Sequence, residues 1–247
     1  MSGFDLSGRR ALVTGANTGL GQAIAVGLAQ AGADIVAVGR SEPDETRARV
    51  EALGRGFQAI AADLGSIAPL AEVVEAAGPL DILVNNAGII RRADSLDFTE
   101  EDWDAVIDTN LKSAFFLSQA VARTWAAGER GGKIINICSM LSFQGGIRVP
   151  SYTASKSGLA GLTRLLACEW AGRGINVNGI APGYFATNNT EALRADPVRN
   201  RDILARIPAG RWGEPGDLAG AAVFLASDAA AYVHGAIVPV DGGWLAR

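Results

Sequence analysis

The sequence predicts an α/β protein: a single doubly wound, Rossmann-type domain with a seven-stranded parallel sheet and helices on both faces. Three observations predict it. Seven short apolar runs alternate with segments of helical length along the 247 residues, and strands joined by helical crossovers pair in parallel. A glycine cluster follows the first run and opens the first helical segment. No Pro/Gly/Ser-rich linker and no internal repeat divides the chain, so 1–247 reads as one unit.

The elements follow in order. Residues 11–13 form the first strand, and 35–38 the second. Both are nearly continuous hydrophobics, as expected where both faces are buried. Between them, 21–31 has helical composition. The third strand is expected at 57–60 and the fourth at 82–84. A long helical stretch, 101–127, leads to the fifth at 133–137, and a second, 152–171, to the sixth at 176–180. Residues 217–227 are the last helix before the seventh strand at 236–240. The segment 186–211 breaks this rhythm. It is polar and carries Arg194, Arg199, Arg201, Arg206 and Arg211. A long insertion beyond the C-terminal edge of a sheet reads as a substrate lid between regular units.

Composition excludes several classes. A net charge of −4 without a basic stripe gives no electrostatic case for nucleic acid. The opening Met-Ser-Gly-Phe-Asp-Leu lacks a cationic n-region and an apolar core, and no apolar run reaches the ~18 residues of a spanning helix. A cytoplasmic protein with no membrane partner is expected. Cys138 and Cys168 lie in apolar segments and read as packing residues. His234 is the sole histidine, so no metal site is expected.

The chemistry concentrates in two places. Tyr152 and Lys156 stand four residues apart, which puts phenol and ammonium on one helix face. A tyrosine is a weak base because its free pKa is ~10. A neighbouring cation favours the phenolate and brings it toward working pH. Of the 22 basic residues only Lys112, Lys133 and Lys156 are lysines, and one of these few is placed beside the tyrosine. At the other end, Thr14-Gly15-Ala16-Asn17-Thr18-Gly19-Leu20-Gly21 joins strand to helix. There glycines let the backbone approach a pyrophosphate that the helix N-terminus attracts. A structural turn is the alternative. Asp63-Leu64 ends the third strand, where the aspartate could accept from an adenine amino group or cap the next segment. Asn85-Asn86-Ala87-Gly88 ends the fourth, suiting a wall against a flat cofactor or a hydrogen-bonded strand terminus.

Together these motifs resemble the short-chain dehydrogenase/reductase family. The glycine turn, the Asn-Asn-Ala-Gly element, Ser139, the Tyr152/Lys156 pair and Pro182-Gly183 with Thr187 occur in family order along the whole chain. The resemblance implies hydride transfer between a nicotinamide and a carbinol carbon. Tyr152 is then the acid/base, and Lys156 lowers its pKa and holds the nicotinamide ribose. Ser139 holds the substrate oxygen, and Asn110 anchors a water beside Lys156. It further implies a homotetramer built on the helices carrying Asn110 and Tyr152. The implied coenzyme contacts are Gly15, Asn17, Thr18, Gly19, Leu20, Gly21, Arg40, Asp63, Leu64, Asn86, Ala87, Gly88, Tyr152, Lys156, Pro182, Gly183, Tyr184 and Thr187.

A narrower resemblance, to the sugar-acid dehydrogenases of that family, is carried by 88–92, 139–156, 207–213 and 240–247. It implies a carboxylate-bearing small-molecule substrate, for which a guanidinium is the fitting partner. Arg148, in the glycine-flanked loop before Tyr152, is expected first and Arg92 second. Gln144 is expected as a hydroxyl partner, with Ser139 and Tyr152 at the reacting carbon. Tyr184, Trp212 and Trp244 could wall the pocket. A reductase of gluconate or of a 3-oxoacyl carrier protein, and a catalytically silent dinucleotide sensor, stand as alternatives.

Coenzyme choice draws on opposing signals. The second strand ends Gly39-Arg40-Ser41 with no acid to meet the NAD ribose, and Arg40 could pair with the phosphate of NADP. Asn17-Thr18 stand where NADP-preferring relatives carry a cation, and the narrower resemblance favours NAD. NAD is the expectation, with NADP open.

Overall fold

The computed structural model describes residues 3–247. Its strands are β1 (Arg10–Thr14), β2 (Asp34–Gly39), β3 (Phe57–Ala61), β4 (Ile82–Asn85), β5 (Gly132–Ile137), β6 (Ile175–Pro182) and β7 (Ile237–Val240). They form one parallel sheet in the order β3-β2-β1-β4-β5-β6-β7. The order reverses between β1 and β4, and ligands of such sheets bind at that switch, beyond the strand C-termini. All seven expected strands are present.

Alternation within each strand divides the core in two. Ala11, Val13, Ile35 and Ile135 face one side, where α1 (Gly19–Gln30), α2 (Asp44–Glu51) and α9 (Ala219–Ala226) bring Ile24, Leu28, Val50 and Leu225. Leu12, Val36, Leu83 and Ile134 face the other. There α3 (Leu70–Ala77), α5 (Ser113–Ala127) and α6 (Pro150–Trp170) bring Val73, Leu117, Val121, Trp125 and Leu166. The buried Trp125 indole donates to Leu80 O at 2.6 Å. Its ring lies against Gly132, where a Cβ would stand 2.4 Å from it. At the active edge, Asn85 and Asn136 are register partners, joined by a 2.8 Å amide hydrogen bond. Ser118 and Thr163 satisfy their remaining buried groups, so the ends of β4 and β5 are fixed relative to the helices behind them.

Two expectations need correction. The stretch 101–127 is not one regular helix. α4 (Glu100–Ile107), capped by Thr99, passes through a π-helical turn at Asp108–Lys112 into α5. The segment 186–211 does not separate two βα units. It lies inside one crossover, between β6 and α9, and forms α7 (Glu191–Ala195) and α8 (Pro197–Leu204). Asp196 caps α8 by accepting from the N–H groups of Val198 and Arg199, and Pro197 supplies the preset first-turn φ.

Candidate active site

A cleft of about 1100 Å³ opens at the switch point and runs from the first glycine turn to the N-terminal turns of α6. At its phosphate end, Gly15 and Gly19 have φ of +65° and +58°, conformations that an L side chain rarely adopts. A Cβ on Gly21 would stand 2.1 Å from Gly15 O, so α1 can close on the turn only with glycine there. Thr18 makes no side-chain cap, and the first turn of α1 carries no acid. Its N–H groups are thus left for an anion, and the cradle fits a dinucleotide pyrophosphate.

Beside this turn, Thr14 Oγ1 accepts the N–H groups of Asn86 and Ala87, both at 2.9 Å. Asn86 Nδ2 donates back to Thr14 O (2.9 Å) and Gly15 O (3.2 Å). The next link is Asn110, 1% exposed within the π turn. Its amide accepts from Ile89 N at 2.8 Å and donates to Ile89 O at 2.9 Å. The extra residue of the π turn rotates Asn110 inward, where it secures the loop after β4.

The Tyr152/Lys156 end of the cleft is built on α6. Val149 and Pro150 start that helix, and just before them Arg148 adopts φ +63°. Tyr152 is half-buried and Lys156 only 4% exposed. Lys156 Nζ donates to Ile137 O at 2.6 Å and lies 5.7 Å from the Tyr152 ring centroid. Ser139 Oγ accepts from Leu141 N at 3.2 Å, which occupies a lone pair and directs the O–H toward the Tyr152 phenol.

Electrostatics here depart from expectation. Burial pushes the Tyr152 phenol above its ordinary value, while the hydrogen bond to Ser139 and the charge of Arg92 act against that rise. Burial also draws Lys156 down to about 8. The expected lowering of the phenol by Lys156 is therefore not produced by the protein alone. The same desolvation that places the pair together weakens the ammonium and disfavours the phenolate.

Gly15, Asn17, Thr18, Gly19, Leu20, Gly21, Asn86, Ala87, Gly88, Pro182, Gly183, Tyr184 and Thr187 line the same cleft as Ser139, Tyr152 and Lys156. So do Arg92, Gln144 and Arg148, together with Trp244. Five expected residues do not line it. Asn110 stands behind the wall. Arg40 is exposed, and at that corner Asn17 Nδ2 donates to Ser41 Oγ instead, at 2.9 Å. The Asp63 carboxylate accepts from Gly65 N at 2.9 Å in a local turn and caps no helix, α3 having Pro69 at its N-cap, and Leu64 is 6% exposed in the core. Trp212 packs edge-on against Tyr184, 5.5 Å between centroids, and donates to Asn200 Oδ1. Sequence reasoning missed Ser142, whose role appears only through bonds to Ser139 and Lys156, and Arg206, an unremarkable member of the arginine-rich segment.

Comparison with known proteins matches this geometry. The family model described as enoyl-(acyl carrier protein) reductase covers residues 15–245. Two 2-dehydro-3-deoxy-D-gluconate 5-dehydrogenases are similar over the full length. That of Dickeya dadantii is 62% identical, covering 99% of this chain and 98% of its own. That of Escherichia coli is 61% identical, covering 100% and 99%. A crystal structure from Agrobacterium tumefaciens, described as a 2-deoxy-D-gluconate 3-dehydrogenase with bound NADP, is 63% identical with a TM-score of 0.97 and covers 100% of both chains.

Proposed function

Since this chain belongs to the short-chain dehydrogenase/reductase family and is an NAD(P)-dependent oxidoreductase acting on a CH–OH group, we propose that it interconverts 2-dehydro-3-deoxy-D-gluconate and its 2,5-diketo form. The observation that carries this reading is that one cleft joins an uncapped helix N-terminus to Ser139, Tyr152 and Lys156, with unpaired arginines at its outer end. When bound, the nicotinamide accepts or returns the hydride.

The chain's own groups do the rest. Tyr152 takes the alcohol proton during oxidation and returns it during reduction. Ser139 donates its hydroxyl proton to the substrate oxygen, where negative charge develops. Lys156 holds the ribose and, once that contact and the cationic ring are in place, favours the phenolate. Asn110 acts by securing the Asn86–Gly88 wall and by anchoring a water beside Lys156.

Arg148 is the first partner for the carboxylate and Arg92 the second. Neither has a carboxylate within ion-pair distance among the described residues, whereas Arg91 is taken by Asp102 at 3.1 Å. A left-handed, non-glycine Arg148 is strained backbone of the kind retained at ligand clamps. Residues 186–211 form a lid: Leu193, Arg199, Ile203 and Arg206 line the cleft, and Ile203 and Ile207 pack on Met140 and Trp244. NAD is the coenzyme expected, with NADP, carried by the Agrobacterium neighbour, as the alternative. The reading includes a cytoplasmic homotetramer serving pectin-derived sugar acids; exposed Trp103, Phe116 and Leu165 on α4, α5 and α6 suit subunit contacts. No described helix is long and apolar enough to cross a membrane.

A second reading, oxidation of 2-deoxy-D-gluconate at C3, is favoured by the description of that same neighbour. The test is reduced-nicotinamide absorbance with each sugar acid and each coenzyme. Turnover of 2-dehydro-3-deoxy-D-gluconate is the expected result. Its absence alongside turnover of gluconate or a β-ketoester would discard the substrate assignment.

A further inference from the structure

The seven residues after β7 fold back into the cleft of their own subunit. The Asp241 carboxylate accepts from Gly243 N and Leu245 N, both at 2.9 Å. Gly242 and Gly243 take φ of +64° and +89°, and a Cβ on either would crowd Ile207 or Pro208. The turn seats Trp244, 4% exposed, 4.8 Å from the Tyr184 ring. Arg247 Nη2 donates to Ala205 O at 2.7 Å, tying the chain end to the segment after α8.

Two contacts of this indole bear on the substrate. Trp244 Nε1 meets Gln144 Oε1 at 3.3 Å. An indole N–H only donates, so it takes the amide oxygen and leaves the Gln144 NH2 as the group presented elsewhere. The Arg206 guanidinium stacks on the indole face, 3.9 Å from the ring centroid. It has no carboxylate within ion-pair distance among the described residues, so its in-plane N–H donors remain available. Gln144, Arg206 and Trp244 all line the cleft. The Gln144 NH2 and the Arg206 guanidinium offer donors, while the Gln144 oxygen keeps a second lone pair.

We propose that Trp244 is a specificity-determining positioning residue: by fixing the Gln144 amide with its NH2 outward and seating Arg206, it makes this wall a donor-rich subsite for the acceptor oxygens of a sugar acid. The inference rests on the sugar-acid reading above. Gln144 is half-buried and Arg206 exposed, so a plain alkyl or acyl ketone that displaced their water would leave these donors unpaired.

Trp244→Phe keeps an aromatic face for Arg206 and removes only the N–H. The KM for the sugar acid should rise about tenfold, as for a lost hydrogen bond and a freed amide, with kcat and coenzyme KM changed by less than about twofold. Gln144→Glu, which replaces donors with an acceptor and leaves the packing alone, should raise that KM by at least about tenfold. Combining Trp244→Phe with Gln144→Leu should be markedly less than additive in KM, because the indole acts through the amide. A wild-type KM in Trp244→Phe or Gln144→Glu, or strict additivity in the pair, would overturn the assignment while leaving the sugar-acid reading intact. Wild-type protein inactive on every sugar acid would remove both.

Discussion

The Ser142 hydroxyl donates to the carbonyl oxygen of Lys156 across 2.7 Å. Ser142 Oγ in turn accepts the backbone N–H of Ser139 at 3.3 Å. One side chain thus uses both its donor and an acceptor site, linking the strand-end serine to the helix that carries the lysine. A parallel tie, Ser157 Oγ to Leu141 O at 3.1 Å, holds the same turn. The spacing between Ser139 and the Tyr152/Lys156 face is therefore set by side chains that touch no substrate.

Removing that link should be felt in the rate. Ser142→Ala should lower kcat by up to about thirtyfold, two hydrogen bonds being worth ~1 kcal/mol each, and leave the coenzyme Kd unchanged. Single-turnover rates beside a thermal melt check it. A lower Tm with an intact rate would make the link structural only.

Tyr152→Phe should cost roughly 10²- to 10⁴-fold in kcat, the usual worth of general acid–base catalysis. Coenzyme binding, followed by nucleotide fluorescence, should persist. Near-wild-type turnover would end the assignment of Tyr152.

The pH dependence should have opposite signs in the two directions. Oxidation needs the phenolate and reduction the phenol, and burial raises the phenol's pKa. Oxidation should climb into the alkaline range while reduction falls. Initial rates in both directions across pH would show it, and parallel profiles would contradict it.

Lys156 carries its own signature in stability. Its folded pKa, about 8, lies below the unfolded value of 10.5, so the unfolded chain binds the extra proton between those values. Its contribution is fully present above the unfolded pKa and is lost as pH falls toward 8. Relative to Lys156→Met, wild-type stability should rise across that window by up to roughly 1 kcal/mol per pH unit. Urea unfolding of both proteins at a series of pH values measures the difference, and parallel curves would refute it.

Asn110→Ala would leave the N–H and C=O of Ile89 without partners. The expected loss is about 2–4 kcal/mol of stability and a weaker coenzyme Kd. Denaturant midpoints and nucleotide titration test the two effects separately. An unchanged Kd would detach Asn110 from the cofactor wall.

Much of the site was legible because its signals are local. The Tyr152/Lys156 pair needs only helical spacing, and the Gly15–Gly19–Gly21 turn needs only a strand before it and a helix after it. Arg40, Asp63 and Leu64 do not line the cleft, since strand-end position does not say where a side chain turns. Asp63 spends its carboxylate on a neighbouring N–H, and Leu64 joins the core.

The sequence by itself determined the seven strands, their parallel pairing, the glycine turn and the candidate acid/base pair Tyr152 and Lys156. Periodicity, glycine and chemical type act within a few residues. Tertiary structure alone decided what each group meets. Asn110 finds Ile89 across 21 positions, and Trp244 finds Gln144 across 100. It also decided which way the Tyr152 and Lys156 pKa values move, since desolvation depends on what surrounds a group from every side, and residue spacing carries no record of that.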